Sequence, residues 1–175
     1  MSNSRGHVRL KSPKIRISVL EIAVAEDRRA CEENLQNYIK YVLNEGRIER
    51  LGEFVHPDFV THTDESALEL DAQGDDFDGI RDGITELREK LQPHYSAAVT
   101  RWDGDTAHLA WTLAGTHVGR IMGFDPTGKS FAVNYTSWCT FKDGKAIEAE
   151  GEWDPAQTLA EIRRQIDAQL AADRG

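Results

Sequence analysis

The sequence predicts an α+β fold in which helices come first, consecutive antiparallel strands follow, and one helix closes the chain. Three observations carry that expectation. Apolar residues recur at intervals of three and four across 27–46, 79–91 and 155–172, which is the spacing of one helix face. Runs rich in Trp, Val, Thr, Tyr and Phe fill 95–102, 106–116, 130–141 and 146–153. Asp103-Gly104 and Asp143-Gly144 punctuate these runs as tight hairpin turns.

Composition bounds the rest. With 175 residues, 39% of them hydrophobic and 29% charged, the chain fits one domain and reads as a soluble globular protein with no membrane partner. Its formal net charge of −9 argues against a nucleic-acid partner, since phosphate binding needs clustered Lys and Arg. The two cysteines, Cys31 and Cys139, fall on a predicted helix and a predicted strand. Their spacing supports neither a metal site nor a disulfide framework, so both are expected as small buried hydrophobes.

Residues 1–26 are expected to form an N-terminal tail or arm, and 27–175 a single domain. The polar start carries Arg5, Arg9, Lys11 and Lys14 and has no apolar period. Ile15 to Ala25 reads either as a short strand or as the lead-in to a helix. Basic residues, an apolar run and the triplet Ala23-Val24-Ala25 mimic a secretory leader, but Glu21 interrupts the run. An arm packed on the domain or on a neighbouring subunit, in a cytoplasmic protein, is the preferred reading.

From Asp27 to Gly46 the stripe is Cys31, Leu35, Tyr38, Ile39, Val42 and Leu43, and Gly46 supplies a left-handed cap. A short second helix spans Ile48 to Val55 and ends at His56 because Pro57 disfavours helical geometry before it. Phe59 to His62 leaves as an extended segment. Asp64 to Asp78 holds seven acids, at 64, 65, 69, 71, 75, 76 and 78. Their spacing does not match a calcium-binding loop with alternating ligands, a central Gly and a closing Glu, so they are expected as a solvated loop or lid. Gly79 to Leu91 is helical through Ile80, Ile84, Leu87 and Leu91 and stops before Pro93. The last helix runs from Pro155 to Ala172, with Pro in its first turn and a stripe of Leu159, Ile162, Ile166 and Leu170.

Between the second and third strands of the hairpin run lies Gly115-Thr116-His117-Val118-Gly119-Arg120-Ile121-Met122-Gly123-Phe124-Asp125-Pro126-Thr127-Gly128-Lys129, a long connection shaped by Gly and Pro. This segment, then a strand, an Asp-Gly-Lys turn and Ile147-Glu148-Ala149-Glu150-Gly151-Glu152-Trp153-Asp154 before a last helix, resembles the SnoaL-like polyketide cyclase family of the nuclear-transport-factor-like superfamily. The resemblance covers about Ala30 to Leu170. It implies a cone: a strongly curved antiparallel sheet wrapped around N-terminal helices, with a pocket at the open end, as in a cystatin-like roll. It also implies a small hydrophobic, polyketide-like or cyclic ligand; a homodimer is expected because the outer sheet face, carrying Thr136, Trp138 and Thr140 or their odd neighbours, needs a cover. Family cyclases close rings by intramolecular aldol condensation, using a carboxyl or imidazole as base and acid with no metal or other cofactor.

The resemblance directs attention to 146–153. Relatives commonly read Glu-His-Trp-Asp-x-x-Asp there; Glu148 and Asp154 keep the outer positions, while Ala149, Glu150 and Gly151 replace His, Trp and the inner Asp. Period two puts Glu148, Glu150 and Glu152 on one face and Ile147, Ala149, Gly151 and Trp153 on the other. If the even face lines the pocket, Glu150 and Asp154 are the candidate base and acid. If the odd face does, small side chains stand where the family's His and Asp would be. Asp154 also suits the N-cap before Pro155. His117 is a candidate acid or base or a core residue satisfied by loop backbone, and His62 is a candidate pocket group. Tyr38, Phe59, Trp102, Trp111, Tyr135 and Trp138 are candidates to contact a flat ligand. A non-catalytic binding or dimerisation module, or a hydrolase or dehydratase of the same superfamily, is the alternative. The exposed-looking Arg120 and Asp125 are the only Arg and Asp pair in the loop to serve hydration.

Overall fold

The computed structural model describes residues 19–62, 70–72, 74–121, 123, 125–152 and 154–174. The expected tail before Val19, Asp64, Glu65 and Glu69 of the acidic run, Met122 and Phe124 of the loop, and Trp153 lie outside the described residues. Helix α1 (Val19–Asn37) begins inside the stretch expected as an arm and continues as one wider π-helical stretch over Tyr38–Asn44. Gly46 then turns the chain at φ +74°, a conformation that costs glycine little. The helix expected over 48–55 is a 3-10 turn (Ile48–Arg50) followed by the single turn α2 (Leu51–Phe54).

Val55 starts a strand instead of ending that helix. Strand β1 (Val55–Thr61) pairs in parallel with β5 (Lys145–Glu152), whereas β2 (His94–Asp103), β3 (Thr106–Thr116), β4 (Ser130–Lys142) and β5 are antiparallel neighbours. The order is β1-β5-β4-β3-β2, so the sheet is mixed and open. β1 is hard to read locally because Pro57 and Asp58 break its alternation; Pro is tolerated there because β1 lies at the sheet edge. Register shifts at Val99/Arg101 and at Thr140/Phe141 mark bulges, which bend strands and let this sheet curve. The turn between β4 and β5 has positive φ at both Asp143 (+51°) and Gly144 (+76°), as a tight hairpin of this twist demands.

Helix α3 (Phe77–Leu91) opens on Asp76, whose carboxylate accepts the Gly79 N–H at 2.9 Å, and stops at Gln92 in the left-handed region before Pro93. Helix α4 (Pro155–Ala172) lies along β4. Its Gln165 amide bonds both the N–H and the C=O of Ala132 at 2.9 Å, and Gln169 donates to the Ser130 carbonyl at 2.6 Å. These amides take the place of a strand beside the part of β4 that β5 does not reach.

The concave face of the sheet carries Ala107 and Leu109 of β3 and Phe131, Val133, Ser137, Cys139 and Phe141 of β4, all buried. Cys31, Leu35, Ile39 and Leu43 pack into it from the N-terminal helix. The helices therefore sit inside the curve, and the chain has the cone-shaped α+β fold. Both cysteines are buried, and burial pushes the Cys139 thiol up to about 12, out of reach of ordinary thiolate chemistry.

Candidate functional site

Between the concave sheet and the helices lies a cavity of about 690 Å³. Sheet register decides its lining. Cys139 pairs with Ala149 and Ser137 with Gly151, while Trp138 pairs with Glu150 and Thr140 with Glu148. Directly opposed residues share a face. Because Ser137 and Cys139 are buried on the concave side, Ala149 and Gly151 face the cavity and Glu148, Glu150 and Glu152 take the convex face. Glu150 also borders the cavity, although its register partner across the ladder is Trp138.

The lining is largely apolar: Leu35, Phe54, Phe59, Leu70, Ile80, Ile84 and Leu113 are among its members, and it includes no Lys, Arg or His among the described residues. One wall is aromatic. Trp111 and Tyr135 are cross-strand partners with rings 5.9 Å apart and 3° from parallel, and Tyr95 meets Trp111 edge-on at 6.4 Å. The Trp111 indole N–H donates to the Ser137 hydroxyl at 2.8 Å. Tyr38 closes the wall from the helical side.

The rim is formed by the described parts of the acidic segment. Leu70, Ala72, Gly74 and Asp75 reach the cavity, and the Asp75 carbonyl accepts the Thr61 N–H at 2.7 Å. The Glu86 carboxylate of α3 accepts the N–H groups of Asp71 at 2.9 Å and Ala72 at 2.7 Å and pairs with Lys90. Burial alone would raise the Glu86 pKa, but Lys90 and the two backbone donors outweigh it and hold the carboxyl below its ordinary value. Gly79 lies so close to Gly74 that a Cβ would stand 2.3 Å from the Gly74 carbonyl oxygen. Segment and helix are thus fitted together at the rim.

The candidates named from sequence separate into two sets. Tyr38, Phe59, Trp111 and Tyr135 line the cavity. Trp102 does not: its indole donates to Glu32 of α1 at 2.9 Å, and Arg28 lies 5.5 Å over its ring. Trp138 lies on the convex face beside His62, with rings 6.1 Å apart. His62 bonds Glu148 at 2.8 Å there, with about half of each side chain exposed. Asp154 caps α4, accepting the Gln157 N–H at 3.0 Å, and is not among the cavity residues.

His117 is fully buried yet stands outside the cavity. Its Nδ1 lies 3.1 Å from the Thr127 hydroxyl, its N–H donates to Lys129, and its carbonyl accepts from Thr127 and Gly128. Val118 and Gly119 donate to the Lys90 carbonyl at the end of α3, and Ile121 packs with Leu91, Ile162 and Ile166. Burial lowers the His117 pKa, opposed by the Gly119 backbone. The loop fastens the sheet to α3. Arg120 and Asp125 are 3.6 Å apart and exposed.

Sequence reasoning did not single out Asp75, Gly83 or Ser137. Asp75 was one of seven acids in a polar run, and nothing local marks it as the one at the rim. Gly83 looked like an ordinary helix residue, although a Cβ there would meet no atom within 4 Å. Ser137 carries a signal in retrospect: a polar residue at an inward position of an otherwise apolar strand face. Among the described residues no group of three or more His, Cys, Asp or Glu is arranged to hold a metal ion.

Residues 33–162 match the model of the SnoaL-like polyketide cyclase family. The chain belongs to this family. No curated protein matches the sequence. Among solved structures, TsrD from Streptomyces laurentii is similar at 21% identity and TM-score 0.64, over 79% of this chain and 96% of that one. IdmH from Streptomyces antibioticus, described as a candidate polyketide cyclase, is similar at 21% identity and TM-score 0.63, over 76% of this chain and 98% of that one. A candidate polyketide cyclase from Acidithiobacillus ferrooxidans gives 21% identity and TM-score 0.65, over 78% and 96%. At such identity these structures bear on the SnoaL-like fold and not on activity. Membership and fold support a small-molecule-binding, cyclase-like role. Among the described residues no helix is long and apolar enough to cross a membrane.

Proposed function

We propose that this SnoaL-like protein takes a small, flat, hydrophobic molecule of the polyketide-like or cyclic kind into its cone. The observation that carries the reading is the 690 Å³ apolar cavity with the Trp111, Tyr135 and Tyr95 wall on one side. Apolar burial supplies the affinity, and the rings offer a planar surface whose electrostatics suit offset stacking.

Cofactor-independent ring closure of such a molecule is the second reading, favoured by one observation: an acidic residue, Asp75, is among the cavity-lining residues, on the rim beside Thr61. An aldol closure needs a base to take a carbon-bound proton and an acid to protonate the attacked carbonyl oxygen. Asp75 would be the base, and the phenols of Tyr38, Tyr95 and Tyr135 are the cavity's candidate acids. Of the four catalytic candidates named from sequence, Glu150 borders the cavity, whereas Asp154, His117 and His62 are not among its lining residues.

Wild type and Asp75→Asn should be compared on aryl poly-β-ketones, measuring binding and ring closure separately. Turnover by the wild type that Asp75→Asn loses while binding remains supports the cyclase reading. Binding without turnover in both supports the ligand-binding module, and absence of binding in both overturns the proposal.

The same proposal takes 27–175 as one domain of a cytoplasmic homodimer, with the convex face bearing Thr136, Trp138 and Thr140 as the surface that a second copy covers. Light scattering of the wild type and of Trp138→Lys checks this; a monomeric wild type refutes it.

A further inference from the structure

Ser137 is the polar residue that the cavity sets deepest in its apolar wall. It is 8% exposed, lies between Leu109 on β3 and Gly151 on β5, and accepts the Trp111 indole N–H at 2.8 Å. A tryptophan nitrogen can only donate, so this bond occupies a lone pair of the hydroxyl and leaves its proton unspent. Among the described residues the Trp111 bond is the only hydrogen bond the Ser137 side chain makes. Gly151, directly opposite, places no side chain beside it, so the hydroxyl looks onto open cavity next to the Trp111 and Tyr135 rings.

We propose that Ser137, oriented by Trp111, is a specificity-determining residue that donates its proton to an acceptor oxygen of the bound molecule, selecting flat ligands that carry a carbonyl at the edge of the ring held against Trp111 and Tyr135. The inference rests on the ligand-binding reading of the cavity. An apolar ligand of the same shape stacks equally well but leaves a buried donor unpaired, and unpaired buried donors are penalised. Discrimination therefore comes from one oxygen rather than from size.

The test uses two rigid tricyclic probes that differ at one position, 9-fluorenone with a ring carbonyl and fluorene with a methylene, titrated by calorimetry. Wild type should prefer the ketone by roughly threefold to tenfold, the worth of one neutral hydrogen bond. Ser137→Ala should bring the two affinities together while retaining fluorene, and Ser137→Thr, which keeps the hydroxyl, should restore the preference. Trp111→Phe, which keeps a stacking ring but removes the orienting N–H, should weaken the preference more than it weakens fluorene binding. A preference that survives Ser137→Ala overturns the inference and leaves the cavity reading intact. If neither probe binds the wild type, the cavity reading fails and this inference falls with it.

Discussion

Gly83 is where the cavity can be tested with one methyl group. It sits buried in the middle of α3 among the cavity residues, and a Cβ built on it meets nothing within 4 Å. Its φ is not positive, so an L-residue such as Ala or Phe can adopt its backbone. Gly83→Ala should raise stability by about 0.5–1 kcal/mol, the helix-propensity difference, because the usual penalty for crowding a buried glycine is missing. For a domain of this size about 1 kcal/mol shifts Tm by roughly 2–4 °C, well within calorimetric resolution. Gly83→Phe places a ring in the space the ligand would use and should weaken 9-fluorenone binding by about tenfold, or ~1.4 kcal/mol, while the protein stays folded. A destabilised Gly83→Ala variant would show that the space above α3 is filled. Unchanged fluorenone affinity in Gly83→Phe would show that the ligand binds elsewhere.

Two further predictions concern titration. His117 has its pKa lowered by burial, so protonation favours the unfolded chain: the stability it lends is complete above the unfolded value of ~6.5 and is lost as pH falls toward the lower folded value. Urea unfolding should show the wild type losing more stability between pH 7.5 and 5.5 than His117→Asn; equal losses would refute this. Glu86 has a depressed pKa, so its contribution is present above the unfolded ~4.3 and disappears as pH falls through its folded value. Glu86→Gln should cost about 1–3 kcal/mol at pH 7 and speed amide exchange at Asp71 and Ala72, and unchanged exchange there would show that the carboxylate does not hold the rim.

Where reading the sequence succeeded, the signal was local and periodic. The stripe Cys31, Leu35, Ile39 and Leu43, the Asp143-Gly144 turn and the stop of α3 before Pro93 each follow from backbone preferences that neighbours in the chain decide. β1 was only partly legible, since its pairing partner β5 begins more than eighty residues later and its own pattern is interrupted by Pro57. The π-helical stretch at Tyr38–Asn44 left no mark either; its end is held by Arg88, which donates to the Leu43 and Asn44 carbonyls from α3, and by Asn44, whose side chain pairs with both backbone groups of Tyr95.

The candidate site shows the same division more sharply. Alternation said that Glu148, Glu150 and Glu152 share one face and Ala149 and Gly151 the other, and the fold keeps that grouping. Alternation carries no sign, however, and the sign is set by which face of β4 packs on the N-terminal helix. Once Cys139 and Ser137 turn inward, Ala149 and Gly151 must follow, because residues opposed across a ladder stand on the same side. By itself the sequence determined the long helices, the four antiparallel strands, the α+β class and the family, since periods, turns and a family motif are written along the chain. Only the tertiary structure decided which residues enclose the cavity: it brought Asp75 to the rim, left open space above Gly83, and set Ser137 against Trp111. Those relations join positions far apart in the chain, and the packing of helices on one face of a curved sheet is what makes them neighbours.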